Sequence, residues 1–384
     1  MDILSEVGRR ALESAGAEAD PTSLGAAERL RRTFPPELAA QALTQVSLRR
    51  RAAGKLPHAS RMFLTSDGLQ QATRPRVAAW RARIFAAAGV QEVWDLGCGL
   101  GADAMAFAAA GLRVQGVEAD ATTAAFATMN LALVGGPPVV HARAEDVEVP
   151  AGAGVFLDPA RRTARGRTWD VGDFAPPWSL VEEYLAGERF CCVKLGPGLP
   201  KQLIPDGVAA TWVSEAGQVV EASLWNRLPP GPAAVVFSGP AGEPSVLRRP
   251  DRPRELRVAD VGRYLLEPDN AVIRAGLVTQ IAPGRGLWLL DHQIAYLSCD
   301  EAFDTPFADA FEVAEVLPFD VKALRRHVRQ AGLGTLEIKC RGVDVDPASL
   351  RRTLQPEGRG SATLILSRTP KGAVAVVAHR VQPK

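Results

Sequence analysis

With 384 residues, 23% of them charged, and a net charge of +2, the chain is long enough for two or three domains. It carries no global basic field of the kind that binds nucleic acid by charge alone. The cysteines, Cys98, Cys191, Cys192, Cys299 and Cys340, are odd in number and lack any CxxC spacing, which argues against a disulfide or zinc framework and for reduced thiols in a cytoplasm. Asp2, Glu6, Glu13, Glu18 and Asp20 interrupt the first twenty residues, so no signal peptide is expected, and no apolar run approaches a membrane span.

Helical periodicity dominates the first 89 residues. Leu, Ala and Val recur at helical spacing over Ile3–Ala17, Ser23–Arg32 and Pro36–Ala53, and a further helix is expected over Gln70–Ala88. Alternation of strand and helix then sets in. Strands are expected near Glu92–Leu96, Val114–Val117, Pro138–His141, Gly154–Leu157 and Cys191–Lys194, with helices near Ala102–Ala110 and Ala121–Leu133, the pattern of a parallel doubly wound sheet. Thr211–Glu215, Val219–Trp225 and Ala233–Phe237 read as closing strands at an antiparallel end. Gly239–Pro253 is rich in Pro and Gly and reads as a linker. Beyond it the order is strand, helix, strand, helix, strand, strand: Phe311–Leu317, Val321–Ala331, Thr335–Cys340, Pro347–Leu354, Ser361–Ser367 and Ala373–Ala378, a small α+β layer that is ferredoxin-like in element order. Three regions follow: a helical one (1–89), an α/β nucleotide-binding domain (90–240) and the α+β domain (254–384).

The densest chemistry lies in Val93–Asp120, VWDLGCGLGADAMAFAAAGLRVQGVEAD. An apolar strand ends in Asp95, glycines alternate at Gly97, Gly99 and Gly101, a helix follows, and a second strand ends in Glu118. Backbone without Cβ at Gly97 and Gly99 admits a nucleotide closely, and Glu118 can take ribose hydroxyls. The same spacing also fits a dinucleotide. Asp95, however, suits a cationic amino-acid moiety and sits poorly beside a pyrophosphate, and the two-residue gap before the third glycine is missing. A third element is Gly154–Arg162, GVFLDPARR, in which an apolar strand ends in Asp158-Pro159.

These three motifs, in this order, resemble those of class I S-adenosylmethionine-dependent methyltransferases, whose fold is a Rossmann-like doubly wound sheet. The resemblance extends through Leu64–Pro75 (LTSDGLQQATRP), Tyr264–Gly276, Leu317–Asp320 and Glu337–Asp344 to bacterial members with a C-terminal THUMP-like domain, and covers the chain from about Pro36 to Ala378. It implies S-adenosylmethionine as cofactor, with Asp95 at the methionine amino end, Gly97 and Gly99 beneath the cofactor, Glu118 on the ribose and Ala119 beside the adenine. Arg143 stands where an acid commonly meets the adenine amine and cannot accept from it. Glu145 or Asp146 can substitute, and Asp146 is taken here. Gln71 and Thr73, in the segment before the first strand, are candidate donors to the methionine carboxylate.

On the acceptor side the candidates are Asp158, Pro159 and Arg161. Asp158 can receive an acceptor proton or anchor its donor, and Arg161 with Arg162 can grip a phosphate or carboxylate. Ala160 and Arg161 replace the Pro-Tyr or Pro-Phe of exocyclic-amine methyltransferases, which puts adenine-N6 and cytosine-N4 chemistry in doubt. Cys191 and Cys192 lie in an apolar strand and read as inert, against covalent C5 chemistry. Lys194–Gly198 is a strand-end glycine turn that can line the acceptor pocket.

True THUMP domains bind RNA, so the resemblance suggests structured RNA, tRNA or rRNA, as acceptor. Two basic clusters agree with that: Arg49, Arg50 and Arg51, and Arg325, Arg326, Arg329, Lys339 and Arg341. A small-molecule methyltransferase with the C-terminal domain as a lid, and a non-catalytic RNA-binding protein on the same fold, are the alternatives. A membrane partner is not expected, and the sequence leaves the oligomeric state open.

Overall fold

Five helices open the chain in the computed structural model, which describes residues 3–161, 169–239 and 242–381. They are α1 (Glu6–Gly16), α2 (Leu24–Arg31), α3 (Pro36–Ala52), α4 (Ser66–Gln71) and α5 (Pro75–Ala87). Hydroxyls of Ser5, Ser23 and Thr65 accept the orphan N–H groups of Gly8, Ala26 and Gly68 at the starts of α1, α2 and α4. The expected helix over Gln70–Ala88 is broken at Ala72–Arg74. Arg74 precedes a proline and is extended (φ −62, ψ 136), because the Pro75 ring disfavours the helical region for the residue before it.

The chain forms two units, Met1–Leu195 with Pro200–Val208 and Ser223–Leu228, and Gly196–Leu199 with Ala209–Ala222 and Pro229–Lys384. In the first, β1 (Glu92–Leu96), α6 (Ala102–Ala109), β2 (Arg113–Glu118), α7 (Ala121–Ala132), β3 (Val140–His141) and β4 (Gly154–Leu157) precede a two-residue pairing of β5 (Ala160–Arg161) with β6 (Phe174–Ala175). Then come α8 (Trp178–Ala186) and β7 (Cys191–Leu195). The strands run parallel in the order β7, β4, β1, β2, β3. Asp95 sits in register with Gly116 on one side and Phe156 on the other. The winding reverses between β1 and β4, and ligands of open parallel sheets bind beyond the carboxyl ends of strands at such a point. Aromatic rings fill the core beneath: Phe85 meets Phe107 and Phe190 edge-on, and Phe107 meets Phe156.

In the second unit, β8 (Ala209–Glu215) and β10 (Gly231–Phe237) pair in parallel. An antiparallel end was expected here. In the sheet β8 lies between β10 and β9 (Gln218–Trp225), and the chain, passing through β9, reverses twice so that β10 returns in the direction of β8. Residues of the expected linker form β11 (Ser245–Arg248), which pairs antiparallel with β10. A seven-stranded sheet follows, built from β12 (Tyr264–Pro268), β13 (Trp288–Asp291), β14 (Ile294–Cys299), β15 (Ala308–Pro318), β16 (Leu333–Cys340), β17 (Gly360–Thr369) and β18 (Gly372–Arg380). Its order is β13, β14, β12, β15, β18, β17, β16. Short α9 (Asn270–Ala275) lies against β8 and β10. Helices α10 (Val321–Gln330) and α11 (Pro347–Leu354) cover one face of the sheet through Leu324, Val328, Leu350 and Leu354. Phe311, Ile365 and Val376 pack on the other. The sequence pattern found β15 to β18 with their helices and left β12 to β14 unassigned. No described helix is long and apolar enough to cross a membrane.

Candidate active site

Three strand ends of the first unit bring their carboxylates to one edge. Asp95 on β1 is fully buried, and among the described residues neither of its carboxylate oxygens has a hydrogen-bond partner. Burial pushes this carboxyl well above the usual carboxylate range. Asp103 and Asp158 push the same way, against Lys194 and Arg81. An acceptor aimed at nothing in a protein interior is costly unless a donor arrives from outside the chain.

The glycine loop beyond β1 is shaped for close approach. Gly97 and Gly101 take φ of +88 and +81, which strain any residue with a Cβ. Gly99, at φ +53, has nothing within 4 Å of where a Cβ would stand, so its backbone faces open space. Glu118, at the end of β2, is fastened above this loop: one carboxylate oxygen accepts the Gly99 N–H and the other the Asp120 N–H, both at 2.9 Å. Each oxygen keeps a lone pair for a diol. Ala119 O lies 3.1 Å from His141 Nε2, and Asp120 caps α7 through the Thr123 N–H. Arg143 pairs with Glu145, while Asp146 is exposed at the end of a single turn (Ala144–Asp146).

Buried amides hold the preceding segment onto the loop. Asn130 on α7 accepts the Phe63 N–H (2.7 Å) and donates to Phe63 O (2.9 Å) and Leu100 O (3.0 Å). Gln45 on α3 embraces Leu64 in the same two-sided way, at 2.7 and 2.9 Å. A Cβ on Gly68 would lie 2.4 Å from Leu100 Cδ1, so α4 rests directly on the glycine loop. Asn130→Ala strands three buried backbone groups and is expected to cost about 2–4 kcal/mol, read by urea unfolding.

Asp158 follows β4 directly and is half-buried, and the Lys194 ammonium at the end of β7 donates to its Oδ2. Lys194 also donates to Thr73 Oγ1 at 2.9 Å, and the Thr73 hydroxyl donates to Asp103 Oδ2 at 2.6 Å. The guanidinium of Arg81, with no exposed surface, pairs with Asp103 Oδ1 and stacks 4.6 Å from the Phe156 ring centroid. Arg81, Asp103, Thr73, Lys194 and Asp158 thus form one alternating chain of charges and donors beside Asp95. Sequence reasoning missed Arg81 and Asp103 and reached Lys194 only as part of a turn. The available signal was Arg81, which with Arg83 is the only charge in the apolar stretch VAAWRARIFAA, and an acid two residues after the last loop glycine.

Pro159 is buried beside Asp158. Arg161 contributes its backbone to β5, opposite Phe174, and Arg162 lies outside the described residues. Gln71 is exposed at the end of α4. Thr73 is buried, with its hydroxyl committed to Asp103 and Lys194. Cys191 and Cys192 are fully buried, and burial drives the Cys191 thiol far above its usual range, so neither sulfur is placed to act as a nucleophile.

Four basic residues expected to face a polyanion are spent internally. Arg49 donates to Met62 O at 2.8 Å and stacks on Phe63; Arg50 donates to Ala19 O at 2.7 Å and Glu18 O at 2.5 Å. Both satisfy carbonyls that no helix pairs. Lys339 reaches Glu267 at 2.6 Å and Glu337 at 3.3 Å, and Arg341 reaches Glu267 at 3.4 Å. Neighbouring carboxylates on the sheet face cancel that charge.

Comparison with known proteins gives the following. Residues 308–380 match the model of a family described as THUMP domain-like, and residues 2–52 that of a domain of unknown function. The chain is 34% identical over 358 residues to uncharacterised S-adenosylmethionine-dependent methyltransferases of Mycobacterium tuberculosis strains CDC 1551 and H37Rv, covering 88% of this chain and 95% of each relative. A crystal structure of a candidate methyltransferase from Porphyromonas gingivalis W83 superposes with a TM-score of 0.77 at 22% identity, covering 97% of this chain and 99% of that one, and so shares the fold.

Proposed function

Because the chain belongs to this family of S-adenosylmethionine-dependent methyltransferases, we propose that it methylates structured RNA, tRNA or rRNA, by direct transfer from the cofactor to a nitrogen or ribose oxygen. The observation that carries the site assignment is the buried, partnerless carboxylate of Asp95 within the same charge cluster as the Lys194–Asp158 pair. An ammonium is the donor that Asp95 lacks, and a methionine amino group provides one. Gly97 and Gly99 leave room for the cofactor, Glu118 offers two lone pairs to the ribose, Ala119 and Asp146 border the adenine, and Gln71 reaches the methionine end.

The sulfonium, when bound, supplies an electrophilic methyl group. The protein's remaining task is to hold the acceptor in line and manage its proton. Lys194 fixes one oxygen of Asp158 and leaves the other free to accept from an N–H or O–H of the acceptor. Burial of both Cys191 and Cys192 favours this non-covalent route. The RNA acceptor is supported by the THUMP-like match over residues 308–380. The free thiols of all five cysteines suit a cytoplasmic setting.

The test is transfer of labelled methyl from S-adenosylmethionine into total RNA from a strain lacking the protein. A labelled discrete RNA band is expected. Label confined to low-molecular-weight extract would replace RNA with a small-molecule acceptor.

A further inference from the structure

We propose that the outer surface of α10 and α11 docks the phosphate backbone of double-helical RNA. The proposal rests on the RNA reading above and says which surface holds that RNA.

Each helix buries one leucine-rich stripe, and what remains outside is basic. Lys322, Arg325, Arg326 and Arg329 on α10 and Arg351 and Arg352 on α11 are all exposed. Neither helix contains an acid. The carboxylates at their starts are used as caps, Asp320 accepting the Ala323 N–H at 2.7 Å and Asp346 the Ser349 N–H at 2.8 Å. Arg325 binds the neutral Gln355, and Arg352 binds the Ser349 hydroxyl at 2.8 Å, with the Asp346 cap as its nearby but unbonded carboxylate. Among the described residues none of the six joins an ion pair. The contrast with the other face of the same sheet is direct: there Lys339, Arg341 and Arg380 are each matched by Glu267, Glu337 or Asp309.

Charge left uncompensated in this way works against the helices. Lys322 and Arg326, and Arg325 and Arg329, are like-charge neighbours four residues apart, an arrangement that destabilises a helix. A polyanion relieves that repulsion, and each phosphate neutralised releases counterions. From Lys322 to Arg329 the stripe is about 10 Å long.

The composition of the surface selects among polyanions. α11 carries no aromatic side chain, and the one ring on α10, His327, is largely covered and lies 3.4 Å from Glu315, so single-stranded RNA lacks its usual exposed platform. An anionic membrane would need apolar side chains to insert, and Leu324, Val328, Leu350 and Leu354 are all buried in the domain's own core. A duplex read through its backbone requires neither.

The experiment compares the full chain with its K322E/R326E/R329E variant, using fluorescence anisotropy with a synthetic RNA hairpin over a salt series. The variant is expected to bind the hairpin roughly tenfold or more weakly near 0.1 M salt, with the slope of log affinity against log salt reduced by about 2–3. The glutamine triple variant should show a smaller loss of the same sign. Calorimetric affinity for S-adenosylmethionine should be unchanged in both, which shows that the first unit is intact. Wild-type hairpin binding that the triple variant retains would overturn this surface and leave the RNA reading standing. Stronger binding to an unpaired oligonucleotide, or to phosphatidylserine vesicles in place of RNA, would also overturn it. Absence of any RNA binding by the wild type, with label entering only small molecules, would remove both.

Discussion

Asp158→Asn lowers the turnover number by a factor of about 10²–10⁴, while calorimetric affinity for S-adenosylmethionine stays at the wild-type level. The split follows from where the side chain stands. It lies one residue beyond β4, half-buried, with one oxygen held by Lys194 and the other available to the acceptor. The contribution proposed for it is therefore to orient the acceptor and take its proton. The cofactor contacts assigned to Asp95, the glycine loop and Glu118 do not pass through it. Lys194 acts through Asp158. Lys194→Met should also reduce turnover, by less, and Lys194→Arg should recover much of the loss, because a guanidinium can still reach both Asp158 and Thr73. Single-turnover methylation with saturating cofactor reads all three. Equal turnover in Asp158→Asn and wild type would remove Asp158 from the mechanism. A loss in Lys194→Met accompanied by collapse of cofactor affinity would make Lys194 part of the cofactor site instead.

The parts of this site that a reader of the sequence can see are those whose chemistry is local. DLGCGLG, with an acid at the end of the next strand, names a glycine turn and a candidate diol acceptor because the residues involved are a strand and a helix apart. Asp158 is visible for the same reason, as an acid ending a run of apolar residues. The chain from Arg81 to Asp158 is not local. Lys194 and Thr73 are 121 positions apart, and only the parallel winding brings β7 beside the segment before β1. The break at Ala72–Arg74 that turns Thr73 inward was hidden inside a helix-like pattern, although Pro75 marked it. Charge was misread for a related reason. Arg49 and Arg341 look alike in sequence to Arg326, yet the first is committed to a carbonyl, the second faces Glu267, and the third is exposed with no ion pair among the described residues. Composition counts cations; whether a cation is available depends on which carbonyls and carboxylates the fold brings to it.

Asp95→Asn is expected to stabilise the cofactor-free protein and to weaken cofactor binding roughly ten- to hundredfold, two consequences of one buried charge. In the unfolded chain an aspartate titrates near 3.9. In the native state burial, reinforced by Asp103 and Asp158, raises the Asp95 carboxyl well above that, and Lys194 and Arg81 do not overcome it. Between the two values the native state holds a proton that the unfolded state has released. Stability therefore falls as pH rises through this window, by linkage. An asparagine has no proton to lose and escapes the penalty. The two proteins should melt together near pH 3, and the variant should melt higher at neutral pH, by about 2–4 °C for each kcal/mol recovered. Binding runs the opposite way. Only ionised Asp95 can form a charge-assisted bond to an ammonium, so below the raised native pKa cofactor association must expel a proton. Wild-type affinity should accordingly increase with pH, and calorimetry in buffers of different ionisation enthalpy should register the released proton, which Asp95→Asn should lack. A melting difference that does not vary with pH would show that Lys194 and Arg81 offset the burial of Asp95, so that its carboxyl titrates alike in the folded and unfolded chain. A stabilised variant that still binds cofactor at the wild-type level would leave the buried carboxylate without the partner assigned to it here.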